Sequence, residues 1–188
     1  EDWDIERLIG DYASAAARMK SAGLDGIEIQ AYGHLMDQFW SPLTNDLEGP
    51  YGGSLENRLR FTFDVLREIR ESCGPDFIVG VRYTGDEDLA GGLTKEDGIE
   101  ISRRLKDSGL VDFLNVVKGH IDTDAGLTDV IPVQGMRSAP HLDFAGEIRA
   151  ATSFPTFHAA KIQDVATARH AIASGKLDLV GMTRAHMA

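Results

Sequence analysis

The most constraining feature of the sequence is a regular alternation of short apolar runs with amphipathic segments. The apolar runs are rich in β-branched residues and predict strands at 24–30, 76–83, 111–117, 155–160 and 177–183. The segments before and between them carry apolar residues at three- and four-residue spacing and predict helices at 4–22, 54–72, 94–105, 142–151 and 163–173. Such alternation indicates an α/β fold with a parallel sheet and right-handed crossovers.

Two architectures share this pattern, a doubly wound sheet and a (β/α)8 TIM barrel. A complete barrel needs eight strands and about 250 residues, whereas the chain has 188 residues. A barrel interpretation therefore makes this chain the C-terminal part of one, and we expect a single partial domain over residues 1–188. Neither a P-loop nor a G-x-G-x-x-G motif follows a predicted strand.

The charge and the cysteine content narrow the possible functions. The formal net charge is -11, which disfavours nucleic-acid and anionic-membrane partners because both need a basic face. Cys73 is the single cysteine, so it forms no internal disulfide and supplies no metal or iron–sulfur site alone. The first residues do not have the pattern of a signal peptide, and no run is long enough for a membrane span. We therefore expect a cytoplasmic protein.

Ligands of both architectures bind beyond the carboxyl ends of the strands. The candidate residues at those positions are Tyr32, His34, Arg82, Asp124, Ala160, Lys161, Gly181 and Arg184. These residues could also have a purely structural role. Arg82 could form an internal ion pair, His34 could be a loop histidine bonded to backbone, and the other cations could be solvated at helix ends.

A phosphate site is the most specific prediction from these residues. Arg82 ends an apolar strand, where a cation is costly to bury unless a polar or anionic ligand meets it. Gly181 and Arg184 sit at the end of the last predicted strand, and Lys161 precedes a predicted helix. A backbone turn, a helix N-terminus and a cation together bind phosphate. Mononucleotide binding follows as a hypothesis. The EF-hand pattern is not met around Asp124, because Val133 stands where that loop needs glutamate.

An ordered set of motifs resembles the old yellow enzyme, or NADH:flavin oxidoreductase, family. The set comprises "GLDGIEIQ", "QFWSPLTN", "YGGSLENRLRF", "VGVR", "LVDFLNV" and "DLVGMTR". The nearer branch contains trimethylamine dehydrogenase and 2,4-dienoyl-CoA reductase. The resemblance implies a (β/α)8 barrel that holds FMN at its C-terminal mouth, of which this chain covers strands four to eight. It also implies a 4Fe–4S centre in the full-length protein, whose cysteines lie outside this chain.

The resemblance also implies roles for individual residues. Arg82 would contact the flavin and stabilise its reduced form, while Gly181 and Arg184 would bind the phosphate. Ala160 and Lys161 would meet the phosphate from the preceding strand. In the "SLENR" motif, Ser54 would cap a helix, and the three residues that follow Leu55, Glu56 to Arg58, would bond across the preceding loop.

The segment "AYGHLMDQFWSPLTN" most resembles the N-methyl amino acid demethylases of the dimethylglycine and N-methylproline type. In that interpretation Tyr32, His34 and Asp124 shape a pocket for a cationic amine. Gln30 stands where ene-reductases of the family usually carry a histidine. An NAD(P)H-dependent ene-reductase and an inactive barrel fragment that self-associates remain alternatives. A small-molecule substrate, an electron-transfer partner and a homo-oligomer are expected.

Overall fold

A computed structural model describes residues 2–187. Its strands are β1 (Gly26–Gln30), β2 (Ile78–Thr84), β3 (Phe113–Val117), β4 (Thr156–His158) and β5 (Leu179–Val180). Its helices are α1 (Asp2–Ser21), α2 (Leu35–Trp40), α3 (Leu55–Cys73), α4 (Lys95–Asp107), α5 (Asp124–Val130), α6 (Leu142–Thr152) and α7 (Val165–Ala173), followed by a 3-10 helix at Arg184–His186.

The five strands form one parallel sheet in the order β1-β2-β3-β4-β5. This order follows the chain without reversal, as in the wall of a barrel, whereas a doubly wound sheet reverses its order at a switch point. The predicted α/β fold and the partial barrel are confirmed. The pairing shortens along the sheet, from five residue pairs between β1 and β2 to two between β4 and β5.

The core lies between the sheet and its helices. Side chains alternate along β2, so Val79, Val81 and Tyr83 are fully buried in the apolar cluster. Arg82 falls on the opposite face, where the mouth of the barrel opens. The strand register places it beside Gln30 of β1 and Asn115 of β3. Burial of the neighbouring apolar side chains therefore holds Arg82 in place.

The loop between β1 and α3 is fastened by the "SLENR" motif, as its resemblance implied. Ser54 caps α3 by accepting the Asn57 backbone N–H at 3.3 Å. The Asn57 amide donates to Gly49 O at 3.1 Å. Arg58 donates to Trp40 O and to Gly53 O, each at 2.7 Å.

The prediction for Glu56 is wrong. Its side chain is exposed and forms no such bond within residues 2–187. An acid in the first turn of α3 is favoured by the helix dipole without any bond across the loop.

The clearest differences from the sequence prediction concern helix α5 and the last strand. Helix α5 was not predicted, because its seven residues are too few for a clear apolar period; Thr123 caps it by accepting the Gly126 N–H at 3.0 Å. The last strand was expected over 177–183 but is limited to Leu179–Val180, since β5 pairs only with the three-residue β4.

Candidate active site

A cavity of about 290 Å³ opens at the carboxyl ends of β4 and β5. All five predicted cofactor-binding residues line it, namely Arg82, Ala160, Lys161, Gly181 and Arg184. The parallel sheet explains this convergence, because the carboxyl ends of neighbouring strands meet at one edge. The structure thus brings together residues that are 102 positions apart at the extremes of the set, 82 and 184.

The backbone around this cavity is tightly packed and strained. A Cβ on Gly181 would lie 3.0 Å from both the Ala159 Cβ and the Phe157 ring. Ala160 and Lys161 both adopt left-handed backbone conformations, with φ of 72° and 56°. Such conformations are costly for residues other than glycine and concentrate at ligand sites. The turn after β4 therefore has a conformation that local propensity alone would not choose.

The side chain of Lys161 points to a neighbouring loop. Its ammonium donates to Val133 O at 2.6 Å and to Met136 O, and the residue is 9% exposed. Arg184, by contrast, is exposed and donates once to backbone, to Pro132 O at 3.3 Å. Both cations therefore lie against the segment that follows α5, but only Arg184 keeps most of its donors available.

Among residues 2–187, the group that the Arg82 guanidinium contacts is an aromatic ring and not an anion. The guanidinium carbon lies 5.3 Å from the centroid of the Tyr32 ring, a cation–π contact. Within residues 2–187 the Arg82 side chain forms no ion pair and no hydrogen bond. A half-buried guanidinium with unused donors is suited to an anionic or electron-rich ligand.

A second cavity, of about 120 Å³, lies at the carboxyl ends of β1, β2 and β3. Its lining includes Tyr32, Asp37, Glu87, His120 and Asp122. Among the described residues, no lysine or arginine contributes to this lining. The three carboxyl groups give the cavity an acidic character that would attract a cation.

Asp37 is the most perturbed group in this acidic cavity. Its pKa is raised to about 6, mainly by burial and also by the Glu87 carboxylate, while the backbone N–H groups of Gly33 and His34 oppose the rise. The His34 N–H donates to Asp37 Oδ1 at 3.1 Å. Asp37 therefore both shapes the turn after β1 and presents a carboxyl group to the cavity.

Of the three predicted catalytic residues, Tyr32 lines the acidic cavity, whereas His34 and Asp124 do not. Tyr32 is buried and lines the acidic cavity. His34 is the exposed residue before α2, and Asp124 is exposed in the first turn of α5; neither contributes to the lining. Asp122, two positions earlier, does. The roles proposed for these three residues stay predictions.

Sequence reasoning missed Asp37 and Glu87. Asp37 had a signal, because it stands three residues after His34 at the start of a short helix, the position that bonds back to the cap. Glu87 had none. Its carboxylate accepts from Ser41 Oγ, which is distant in sequence, at 2.7 Å and from the Leu93 N–H of its own loop at 2.6 Å.

The sheet order and the cation-lined cavity at the strand ends define a barrel segment with the features of a mononucleotide site. The chain belongs to the NADH:flavin oxidoreductase / NADH oxidase family, whose pattern it matches over residues 1–188. The predicted family membership is thereby confirmed.

Several curated relatives match the chain over its whole length. A probable N-methylproline demethylase from Rhizobium meliloti (strain 1021) is 73% identical over 187 residues, and the chain spans 28% of its length. A multifunctional alkene reductase/demethylase from Caballeronia cordobensis is 48% identical over 188 residues, and the chain spans 27% of its length. The chain therefore corresponds to less than a third of these proteins.

A solved structure supports the same placement. A 2-naphthoyl-CoA reductase in complex with 2-naphthoyl-CoA superposes with a TM-score of 0.89 at 28% identity, covering 97% of this chain and 27% of that one. The small share of the solved chain agrees with a partial barrel. In the part of the chain that the structure describes, no helix combines the length and apolarity needed to cross a membrane.

Proposed function

We propose that the intact protein is an FMN-dependent oxidoreductase that oxidatively removes a methyl group from an N-methylated amino acid. The observation that carries this proposal is the pairing of two cavities at one sheet edge. One is lined by cations and a close-packed glycine, the other by three carboxyl groups, and Arg82 and Tyr32 touch between them.

The residues of the larger cavity fit FMN. Gly181 lines the cavity without a side chain of its own, so its backbone is open to a ligand, while Ala159 and Phe157 fill the space where a Cβ would lie. Arg184 is exposed with most of its donors available, as a phosphate ligand requires. Because the Lys161 ammonium is engaged by two carbonyls, we assign its backbone and that of Ala160, rather than its charge, to the phosphate wall.

Arg82 is assigned to the flavin ring system. FMN, when bound, supplies the two-electron acceptor of the reaction. A fixed guanidinium beside it stabilises the negative charge that reduction creates. The strand position of Arg82 and its packing on Tyr32 hold the guanidinium in one orientation before the reaction, so little reorganisation is needed.

The acidic cavity is assigned to the substrate. Asp37, Glu87 and Asp122 would attract the ammonium group of the amino acid, and Tyr32 supplies an aromatic wall for its methyl groups. One of these carboxylates would take the ammonium proton, and loss of an N-methyl hydrogen with its electron pair from the neutral amine would then leave an iminium ion. Water then hydrolyses the iminium to formaldehyde and the demethylated amine. His34 and Asp124 are proposed to border this pocket from its exposed side.

The test is anaerobic bleaching of the bound flavin in the full-length protein. N-methylproline should bleach the visible flavin bands and release one formaldehyde per turnover, whereas proline, which lacks the methyl group, should do neither. Sarcosine and dimethylglycine extend the series. Absence of bleaching with every N-methylated amino acid would refute the assignment.

An ene-reductase is the second candidate, favoured by the alkene-reductase activity named for the Caballeronia cordobensis relative. Against it, glutamine stands where these enzymes usually carry a histidine, and one of the two Gln30 amide hydrogens is already donated to Tyr32 O at 3.0 Å. Bleaching by NADPH with reoxidation by an enone would favour this alternative.

Further proposals concern the longer protein. We propose that residues 1–188 are one part of a barrel domain completed by segments outside this chain, and that a 4Fe–4S centre there passes electrons to a partner protein. A cytoplasmic homo-oligomer is proposed on the family resemblance alone. Iron and sulfide analysis and light scattering on the full-length protein test these points.

A further inference from the structure

His158, at the end of β4, carries a buried polar atom that the fold does not satisfy. The residue is 2% exposed. Its Nδ1 lies 2.7 Å from Val116 O, and its Nε2 has no hydrogen-bond partner among residues 2–187. Unsatisfied buried polar atoms are uncommon in native proteins and call for a specific explanation.

The position of the His158 ring follows from the point at which the pairing between β3 and β4 ends. The ladder between β3 and β4 stops at the pair Asn115 and Phe157. One residue further on, the His158 imidazole reaches Val116 O, a carbonyl of the neighbouring strand. A carbonyl can only accept, so Nδ1 carries the hydrogen and Nε2 is left as an unprotonated acceptor. Burial lowers the His158 pKa to about 4, which keeps the ring neutral.

His158 lines a small cavity of about 30 Å³ together with Arg82, Asn115 and several apolar side chains. That volume holds one water molecule, provided that polar groups surround it. Arg82 offers unused N–H donors. Asn115, whose Nδ2 donates to Glu28 at 2.8 Å, offers its amide oxygen as a further acceptor.

Other groups around the cavity already have partners. Lys118 pairs with Asp88 at 2.8 Å. His141 Nε2 donates to Asp129 O at 3.0 Å. Arg82 is therefore the lining cation whose donors remain free, in the part of the chain that the structure describes.

We propose that one buried water in this cavity accepts a hydrogen bond from Arg82 and donates to His158 Nε2, which makes His158 a positioning residue for Arg82. The water's second hydrogen would be donated to the Asn115 amide oxygen, which gives it the three bonds typical of a buried water. The neutral imidazole orients the guanidinium without adding a second positive charge. The proposal shares one assumption with the proposed function, namely that Arg82 faces the flavin.

The experiment distinguishes the roles of the two His158 ring nitrogens with variants of the full-length flavoprotein. His158→Asn places an amide N–H near Nδ1 and so can keep the bond to Val116 O, but it lacks the Nε2 acceptor. His158→Gln places its amide near Nε2 and loses the other bond. The readout is the affinity of the bound flavin for sulfite, which brings negative charge to the ring and depends on the nearby cation rather than on any amine substrate.

His158→Asn should weaken sulfite binding roughly two- to tenfold, the effect of one hydrogen bond, with its melting temperature close to wild type. His158→Gln should keep sulfite affinity within twofold even if its melting temperature falls. The control His141→Gln keeps a donor toward Asp129 and should leave sulfite affinity unchanged.

A purely structural role predicts the reverse order, with Gln weaker than Asn, and that result would overturn the proposal. Equal losses in His158→Asn and His141→Gln would overturn it too, because they would show a general packing effect. Sulfite affinity is measurable whichever substrate the enzyme uses, so failure of this test is distinguishable from failure of the proposed demethylation.

Discussion

The guanidinium carbon of Arg82 lies 5.3 Å from the centre of the Tyr32 ring. Tyr32 lines the acidic cavity and Arg82 lines the larger, cation-lined cavity, so this contact joins the two. The residues come from the ends of neighbouring parallel strands, β1 and β2. In the proposed enzyme, the residue beside the flavin and the residue beside the substrate therefore support each other.

Replacement of Tyr32 tests that contact. Tyr32→Phe keeps the ring over which Arg82 lies, whereas Tyr32→Leu removes it. We expect the Leu variant of the full-length protein to bind FMN about two- to fivefold more weakly, as the loss of a partly exposed cation–π contact predicts. The Phe variant should match wild type. Equal FMN dissociation constants for the two variants would contradict this account.

Arg184 is expected to recognise the phosphate. Arg184→Met should weaken FMN binding roughly ten- to hundredfold, because hydrogen bonds to charged groups contribute about 1.5–3 kcal/mol. Riboflavin, which lacks the phosphate, should bind wild type and variant equally well. A matching loss for riboflavin would show that Arg184 acts on the fold instead. Titration of the apoprotein with both flavins gives the comparison.

The left-handed backbone at Ala160 predicts a stabilising substitution. Ala160 has φ of 72°, a conformation that glycine adopts without a steric penalty. Ala160→Gly should raise the free energy of unfolding by about 0.5–1 kcal/mol. Ala159→Gly is the control, since Ala159 is outside the left-handed set, and it should lower stability. Denaturant titration of both variants measures these changes. Destabilisation by Ala160→Gly would contradict the inferred backbone strain at Ala160.

The raised pKa of Asp37 makes stability depend on pH. Its folded-state pKa of about 6 lies above the ordinary value of 3.8, so the folded protein binds this proton more tightly than the unfolded chain does. The stabilisation from protonated Asp37 is complete below pH 4 and is lost as pH rises through 6. The unfolding free energy of wild type minus that of Asp37→Asn should therefore fall between pH 4 and pH 7. A difference that stays constant over this range would exclude the raised pKa.

Arg58 should matter more than its exposed neighbour Arg60. Arg58 is half-buried and donates to two backbone carbonyls, those of Trp40 and Gly53. Arg60 is exposed and donates to one backbone carbonyl, that of Pro50. Arg58→Met should lower the unfolding free energy by about 1–3 kcal/mol, and Arg60→Met by less than about 0.5 kcal/mol. Similar losses in both variants would show that the motif acts through charge alone.

The sequence was most informative where a local pattern and the global fold agree. The alternation of strands and helices, the Ser54 cap and the Arg58 anchor were all predictable, because each depends on neighbours in the chain or on a motif. The convergence of Arg82 and Arg184 was predictable as well, since parallel strands must end at one edge. Helix α5 was not, because seven residues show no clear period.

By itself, the sequence determined the parallel sheet and five of the residues that line the larger cavity at the carboxyl ends of its strands. Only the tertiary structure decided which donors remain free there. Lys161 and Arg184 are both cations after a strand, yet carbonyls of a loop distant in sequence engage the Lys161 ammonium and leave Arg184 exposed. The Glu87 bond to Ser41 and the His158 bond to Val116 O likewise join segments distant in sequence, because hydrogen-bond partners depend on packing between elements rather than on spacing along the chain.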